Sequence, residues 1–377
     1  MPGAFDTSDT DSTVSSAAVV DAEGFLIPEA SQPQDWARLA DYLGEHGFSF
    51  TPEPAPKQFA GGMGNLNYLL ELDGTPCVIR RPPPGPLPPG ANDMAREHRV
   101  LSRLWEKFPL APRAFHFCDD ESVWDKPFFI MEYRTGRVVR KGEWPDDLVG
   151  HEAVLSERMI SALAGLHAID PAAVGLDTLG RPEGFNARTV EGWIKRCTIA
   201  AQDIYDDKQP PPAARDAAEW LRANIVPESG VALLHNDYKI DNIMWAEMPP
   251  PPEAIAIFDW DQCTRGDPLF DFATFLSYWA EDGDPEPMRS FDQMPTIRPG
   301  FPSRREVVEL YAKASGRDVS DFLFHRVLGM LKLGVIFLQL FARYRRGETR
   351  DPRYADLGQY GDSMFEFTVD IIHGRTF

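Results

Sequence analysis

Apolar residues recur along the chain in two rhythms. Between residues 35 and 47, Trp36, Leu39, Ala40 and Leu43 fall at helical spacing and the run stops at Gly47, which predicts a helix. The period then shortens: residues 57–60, 66–72 and 76–80 read as strands, with Asp73-Gly74 marking the turn between the last two. Residues 81–91 are dominated by Pro and Gly and read as an ordered loop. Asn92 or Asp93 then caps a helix whose apolar positions are Met94, Val100, Leu101 and Leu104, with Glu97 and Arg103 among them. Residues 128–133 form another strand, broken at Thr135-Gly136. From about His151 the rhythm is mainly helical: Leu155, Met159, Leu163 and Leu166 line one face, and further helices are expected over 190–205, 213–225, 304–314 and 322–344. Residues 1–34 are rich in Ser, Thr, Asp and Ala, with few large apolar groups before Phe25, and read as a disordered acidic tail.

Strands and one helix first, helices afterwards, predict a two-lobed α+β protein. The expected division is a small β-rich N-lobe over 35–133 and a larger helical C-lobe over 134–377, with a cleft between them. A chain of 377 residues can fill two such lobes. The formal net charge of −20 argues against broad binding to nucleic acid or an anionic membrane, both of which call for clustered positive charge. The four cysteines are far apart and form no C-x-x-C pair, so neither a zinc site nor a disulfide frame is expected. The first basic residue is Arg38, so the start lacks the features of a secretory signal or a transit peptide, and a cytoplasmic location is expected. Residues 322–341 are the most apolar stretch, but His325, Arg326 and Lys332 interrupt it, which favours a buried helix over a membrane span.

The chemistry concentrates in the run His235-Asn236-Asp237-Tyr238-Lys239-Ile240-Asp241-Asn242, followed by Asp259-Trp260-Asp261. It reads H-x-D-x-x-x-x-N and then D. Phosphoryl transfer needs one carboxylate for the attacking hydroxyl, an amide on the same loop to ligate magnesium, and a second carboxylate to grip the metal-bound phosphates. Asp237, Asn242 and Asp259 fit those roles in order. Three short apolar runs, 231–234, 242–245 and 254–258, frame them, and the four prolines at 249–252 read as a turn between the last two, giving a catalytic loop followed by a hairpin. His235 is expected to orient the loop.

A second constellation lies in the N-lobe. Gly61, Gly62, Gly64 and Asn65 sit between two expected strands, where glycines let backbone amides approach phosphate oxygens. Arg80 ends the following strand and Glu97 lies on the next helix, so a strand cation held by a helical carboxylate is the expected phosphate contact. Arg81 is the alternative cation. Residues 129–133 would join the lobes, and the backbone from Met131 to Tyr133 is the candidate contact for an adenine edge; Phe129 and Met131 are equally compatible with a core role.

These residues resemble the aminoglycoside phosphotransferase and choline kinase-like superfamily, a small-molecule branch of the protein-kinase fold. More narrowly, residues 61–70, Val78-Ile79-Arg80-Arg81-Pro82 and the 235–242 loop look like the phosphotransferase domains related to the kinase portions of acyl-CoA dehydrogenase family members 10 and 11. The resemblance covers about 58–344, and its most specific pieces are the loop, Phe258-Asp259-Trp260-Asp261 and 266–271; Leu163 to His167 matches a helical signature. It implies transfer of a phosphoryl group, dependent on ATP and Mg2+, to a hydroxyl of a small molecule. Asp237 would be the catalytic base, with His235 beside it, Asn242 and Asp259 would be metal ligands, and Asp271 would brace the loop. Asp267 before Pro268 reads equally as a helix cap. Two positions depart from the pattern: relatives often carry His where Asn92 stands, and Ser where Gly64 stands. A hydroxyacyl acceptor is one candidate. The alternative is a kinase-fold protein that binds nucleotide without catalysis. No nucleic-acid or membrane partner is expected, and the oligomeric state is open.

Overall fold

The computed structural model describes residues 20–21, 23–60, 64–85, 92–140, 142–247, 251–291, 293–349 and 352–377. The chain divides into two compact units, one formed by the described residues up to Ala95 with Ala114–Tyr133, the other by Arg96–Arg113 with Arg134–Phe377.

The first unit is an antiparallel sheet with one helix on its face. Strands β1 (Lys57–Gln58), β2 (Leu66–Leu72), β3 (Thr75–Arg81), β4 (Ala114–Cys118) and β5 (Phe128–Glu132) lie in the order β1-β2-β3-β5-β4. Helix α1 (Trp36–Glu45), capped by the Asp35 side chain on the Arg38 amide, sets Leu39 and Leu43 against Tyr68, Leu70, Leu72, Cys77, Ile79, Phe128 and Ile130. Side chains alternate across a strand, so the paired residues Asn67↔Arg80, Val78↔Met131 and Arg80↔Phe129 share the other face. β3 runs one residue past its expected end and carries Arg81 onto the α1 side. The β4 segment was not expected as a strand.

The disordered-tail expectation for 1–34 needs correction over its last part. Phe25 is buried and bridges Phe59, with ring centroids 4.8 Å apart, and the Leu26 amide donates to the Gln58 carbonyl at 2.8 Å. Gln34 donates to the Tyr68 hydroxyl at 2.9 Å. One aromatic residue and an open strand edge are enough to order a segment whose overall composition is polar. Residues 1–19 lie outside the described residues.

Helix α2 (Met94–Leu104) leads into the second unit, where helices enclose two small sheets. β7 (Ala232–Leu234) pairs with β10 (Thr264–Gly266), and β8 (Ile243–Trp245) lies between β6 (Arg137–Val138) and β9 (Ala254–Ile257). The helices are α3 (Glu152–His167), α4 (Phe185–Ile204), α5 (Pro212–Ala223), α6 (Pro268–Ser277), α7 (Glu286–Phe291), α8 (Arg304–Ser315), α9 (Phe322–Arg345) and α10 (Leu357–Ile372). Of the expected proline turn at 249–252, residues 249–250 lie outside the described residues.

α9 is the only helix among the described residues long and apolar enough to cross a membrane, yet 78% of its most apolar window is buried within the unit. Two glycines let neighbours approach it. A Cβ on Gly329 would lie 2.7 Å from the Ala273 carbonyl oxygen of α6, and one on Gly334 would lie 2.7 Å from the Phe365 ring of α10. α6 is buried at all ten residues. Its N-cap, Asp267, accepts from the Leu269 amide at 3.0 Å, from Asn186 Nδ2 at 2.9 Å, from the Ser229 side chain and amide, and from His325 Nε2 at 2.8 Å. Burial alone would raise this carboxyl, but the His325 contact and the other donors win and draw it down to about 2.

Gly329→Ala gains about 1 kcal/mol of helix propensity, but the added methyl meets backbone and is expected to destabilise by roughly 1–3 kcal/mol net. A lower urea midpoint checks this; an unchanged or higher one would mean that α6 and α9 do not approach so closely. A second expectation concerns pH. A carboxyl whose folded pKa is depressed contributes stability above its unfolded pKa and loses it as pH falls through the folded value. Asp267→Asn should therefore cost about 2 kcal/mol at pH 7, and its gap to wild type should close as pH falls from about 4 to about 2. Urea unfolding across that range is the measurement, and a gap that stays constant would contradict the assignment.

Candidate active site

β7 brings the chain to the buried His235, and the following turn is held by the carboxylate of Asp271 on α6. Its Oδ2 accepts from the His235 amide and its Oδ1 from the Asn236 amide, both at 2.7 Å. His167 of α3 adds Nε2 at 3.1 Å, with its Nδ1 at 2.7 Å from the Tyr311 hydroxyl. Burial would raise the Asp271 carboxyl, but the hydrogen bond and charge of His167 outweigh it and hold the group below the usual carboxylate range. His167, at the end of the helical signature, is buried and packs against the brace.

His235 is pinned at both ring nitrogens. Nε2 lies 2.9 Å from the Phe258 carbonyl, which can only accept, so Nε2 carries the proton and Nδ1 faces the Asp237 amide at 3.3 Å. Burial pushes its pKa down and keeps the ring neutral. His235 thus fastens the loop to the residue preceding Asp259, an orienting contact.

Two non-glycine residues at the site adopt left-handed backbone, Asn236 at φ 66° and Asp259 at φ 68°. Such positions persist where the surroundings hold them. At Asn236 the holders are visible: Nδ2 donates to the Gln262 carbonyl at 2.9 Å, and the Asn236 carbonyl accepts from Lys332 Nζ at 2.5 Å.

The Asp237 carboxylate has partners on both oxygens. Oδ2 meets Lys239 Nζ at 2.5 Å and Asn242 Nδ2 at 3.3 Å, while Oδ1 accepts from the Tyr278 hydroxyl at 3.2 Å. Lys239 also lies 3.9 Å from Asp241. Burial works against the Lys239 charge, but Asp237 and Asp241 outweigh it and push its pKa up. Asp241 itself rises to about 6, mainly through burial, with Lys239 opposing; Gln293 Nε2 donates to it at 2.7 Å.

Asn242 Nδ2 also donates to the Asp237 carbonyl at 2.8 Å, which leaves its amide oxygen as the acceptor end. The Phe258 amide donates to the Asn242 carbonyl at 2.8 Å, and Ile243 pairs with Ile257, so the hairpin sets Phe258 opposite Asn242, with Asp259 the next residue along. Among the described residues no three His, Cys, Asp or Glu side chains cluster as metal ligands. One carboxylate and one amide oxygen fit Mg2+, which binds through one or two protein oxygens and fills its shell with water and phosphate. Zinc or another soft metal would require a fuller nitrogen or sulfur set.

Glu97 is almost fully buried, and its Oε1 accepts from the Trp260 amide at 3.3 Å, next to Asp259. The Trp260 ring lies tilted against His235, with ring centroids 4.7 Å apart.

In the first unit, Gly61 and Gly62 lie outside the described residues. Gly64 is exposed, and its carbonyl accepts from Asn92 Nδ2 at 2.5 Å, so the residue that departs from the family pattern braces the glycine turn. Asn65, with its amide oxygen toward Arg80, accepts from Arg80 Nη2 at 2.8 Å, and Arg80 also reaches Asn67 at 3.4 Å. Arg81 is engaged on the core face. It contacts Gln34, pairs with Asp125 at 2.5 Å and lies 4.9 Å above the Trp124 ring. Met131 is buried on the Arg80 face, and Tyr133 is half-buried with its ring 6.2 Å from Phe59.

Three side chains at the loop escaped assignment from sequence. Lys239 was visible two positions from Asp237, Tyr278 lies 41 positions on, and Lys332 was noted only as a charge interrupting an apolar run.

Residues 56–307 match the phosphotransferase enzyme family, APH. The chain is 31% identical over 325 residues to acyl-CoA dehydrogenase family member 11 of Gallus gallus, covering 83% of this chain and 40% of that protein. It is 25% identical to acyl-CoA dehydrogenase family member 10 of Mus musculus, covering 83% of this chain and 29% of that protein. The chain thus spans well under half the length of these relatives. Among solved structures it is similar to a protein of Ralstonia eutropha assigned as an aminoglycoside phosphotransferase, with a TM-score of 0.73, 25% identity and coverage of 90% of this chain and 99% of that one. A choline/ethanolamine kinase family protein of Mesorhizobium loti shares the fold, with a TM-score of 0.53 at 14% identity over 85% of this chain and 88% of that one. The match over most of its length, on a kinase-like fold of a small sheet unit and a helical remainder, makes the chain a member of the phosphotransferase enzyme family.

Proposed function

We propose that the protein is an O-kinase that uses ATP and Mg2+ to phosphorylate a hydroxyl of a small molecule. The observation that carries this reading is the state of Asp237: a carboxylate with limited exposure, gripped by Lys239, Asn242 and Tyr278 on a loop fastened to the Asp259 hairpin. A carboxylate so fixed can accept the hydrogen bond of an acceptor hydroxyl and draw off its proton as the new P–O bond forms. Asn242 and Asp259 would hold Mg2+, whose charge offsets that of the phosphates. Lys239 holds the Asp237 carboxylate in an ion pair, and His235 keeps its backbone in place. In the first unit, Arg80 would contact phosphate and the backbone from Met131 to Tyr133 the adenine. The full set of groups for transfer speaks against the non-catalytic alternative. Two relatives carry acyl-CoA dehydrogenase in their names, so a hydroxyacyl compound is the first acceptor to try. The test is a screen of hydroxylated metabolites for ATP consumption, with product mass raised by one phosphate; no turnover across the panel by a protein that binds ATP would count against the reading.

Asp237→Ala should abolish transfer to the acceptor so identified while nucleotide affinity stays within about threefold, because the carboxylate serves the hydroxyl rather than the nucleotide. Turnover and calorimetric titration separate the two effects, and undiminished turnover would remove Asp237 from the mechanism. Arg80→Ala should weaken ATP binding by about 10- to 100-fold while leaving adenosine binding unchanged, since a charge-assisted hydrogen bond to phosphate is worth roughly 1.5–3 kcal/mol. Arg80→Lys should recover part of the loss. Selective loss in Arg81→Ala instead would transfer the role to Arg81.

A further inference from the structure

Lys332 sits in the middle of α9 and is 2% exposed. Among the described residues no carboxylate lies within 4.0 Å of its ammonium. Its hydrogen bonds go to two neutral oxygens, the Asn236 carbonyl at 2.5 Å and, at the limit of hydrogen bonding, Thr274 Oγ1 at 3.5 Å. The rings of Phe270 and Trp193 stand 5.3 and 5.8 Å away. A charge so placed is costly, because carbonyl and ring contacts replace only part of its hydration, and an apolar side chain of the same length would fill the space without that cost. The position is nevertheless built for it. Gly329, one turn earlier, lets α9 close on the backbone of α6 at Ala273, which brings Lys332 to Thr274 and to the loop.

We propose that Lys332 is a positioning residue of the 235–242 loop, an ammonium kept in the core at the expense of stability to hold the Asn236 carbonyl. That carbonyl belongs to the peptide leading directly into Asp237, and it follows a left-handed residue. Asp271 takes the amides of His235 and Asn236 from one side; Lys332 takes the carbonyl of Asn236 from another. The peptide before Asp237 is then fixed at both its donor and its acceptor neighbours. The charged groups that face Lys332 are Asp237 and Lys239 of the loop, Asp271 of α6 and Arg196 of α4. Burial, reinforced by the two cations and opposed by the two carboxylates, draws its pKa down from 10.5 to about 8.

The positioning role rests on the kinase reading only for its effect on turnover; the hold on the loop does not. Lys332→Met is the main test, on the full chain. It is expected to raise the thermal midpoint at pH 7 by roughly 2 °C or more. A base with a depressed folded pKa makes wild-type stability rise with pH between the folded and unfolded values, so the advantage of the variant should shrink from about pH 8 towards pH 10.5. Against that gain, amide exchange at His235, Asn236 and Asp237 should quicken by on the order of tenfold or more, and phosphate release from ATP, with water as acceptor, should fall by a similar factor. Lys332→Arg, which keeps a cation for the carbonyl, should retain slow exchange at those amides. A Met variant that is less stable, or fails to fold, overturns the proposal in favour of a purely structural lysine. So does a stable variant whose loop amides exchange as in wild type. If stability and exchange behave as expected while the wild type releases no phosphate from ATP, the positioning role stands and the kinase reading falls.

Discussion

Two backbone amides share one carboxylate at Asp271, and the candidate site is organised around that contact. The two bonds fix the peptide that leaves β7, and hence the direction in which Asp237 projects two residues later. Asp271 can do this because α6 itself begins at a defined point. Asp267 caps the helix and is anchored by Asn186 of α4, Ser229 and His325 of α9. One acid fixes the helix start and the other, four residues on, fixes the loop. An error of one residue in the start of α6 would rotate Asp271 by about 100° and release both amides.

The same region gathers four aspartates, 237 and 241 of the loop, 259 at the hairpin's exit and 271 of α6, and like charges so close repel. The structure compensates them by different means. Asp271 is met by amides and a histidine, and Asp237 by an ammonium and a phenol. Asp241 absorbs the conflict as a raised proton affinity, its burial only partly offset by Lys239. Compensation through dipoles as well as cations keeps the loop ordered in a chain whose net charge is strongly negative.

The loop was legible from sequence because its chemistry is local: His235, Asp237 and Asn242 lie within eight residues, bounded by apolar runs that mark strands. Strand alternation also carried real information, since it set Arg80 and Arg81 on opposite faces, and the cross-strand partners then showed which face each takes. Contacts made across long separations were not legible. Tyr278 meets Asp237 across 41 residues and Lys332 meets Asn236 across 96, and the second depends on how closely α9 and α6 cross. That closeness rests on Gly329, which in sequence is only a weak helix former. The ordering of Phe25 and Gln34 on the sheet was hidden for another reason: average composition describes a segment poorly when one buried ring decides its fate.

The central place of α9 bears on how the chain comes off the ribosome. Helices α4 and α6 are synthesised before it, α10 after it, and all three pack on it. The carbonyl of Asn236 emerges 96 residues ahead of the lysine that holds it. At synthesis rates of about 5–20 residues per second, that interval is on the order of ten seconds. For the later part of it, from the completion of α6 until α9 follows, α6, every residue of which ends up buried, has no α9 to cover it. The strands of the first unit face no such wait, since β1 to β5 are all available once Glu132 has been made. The nascent protein is therefore most exposed to aggregation and most in need of chaperones while its second unit is half-made, in the window between α6 and α9.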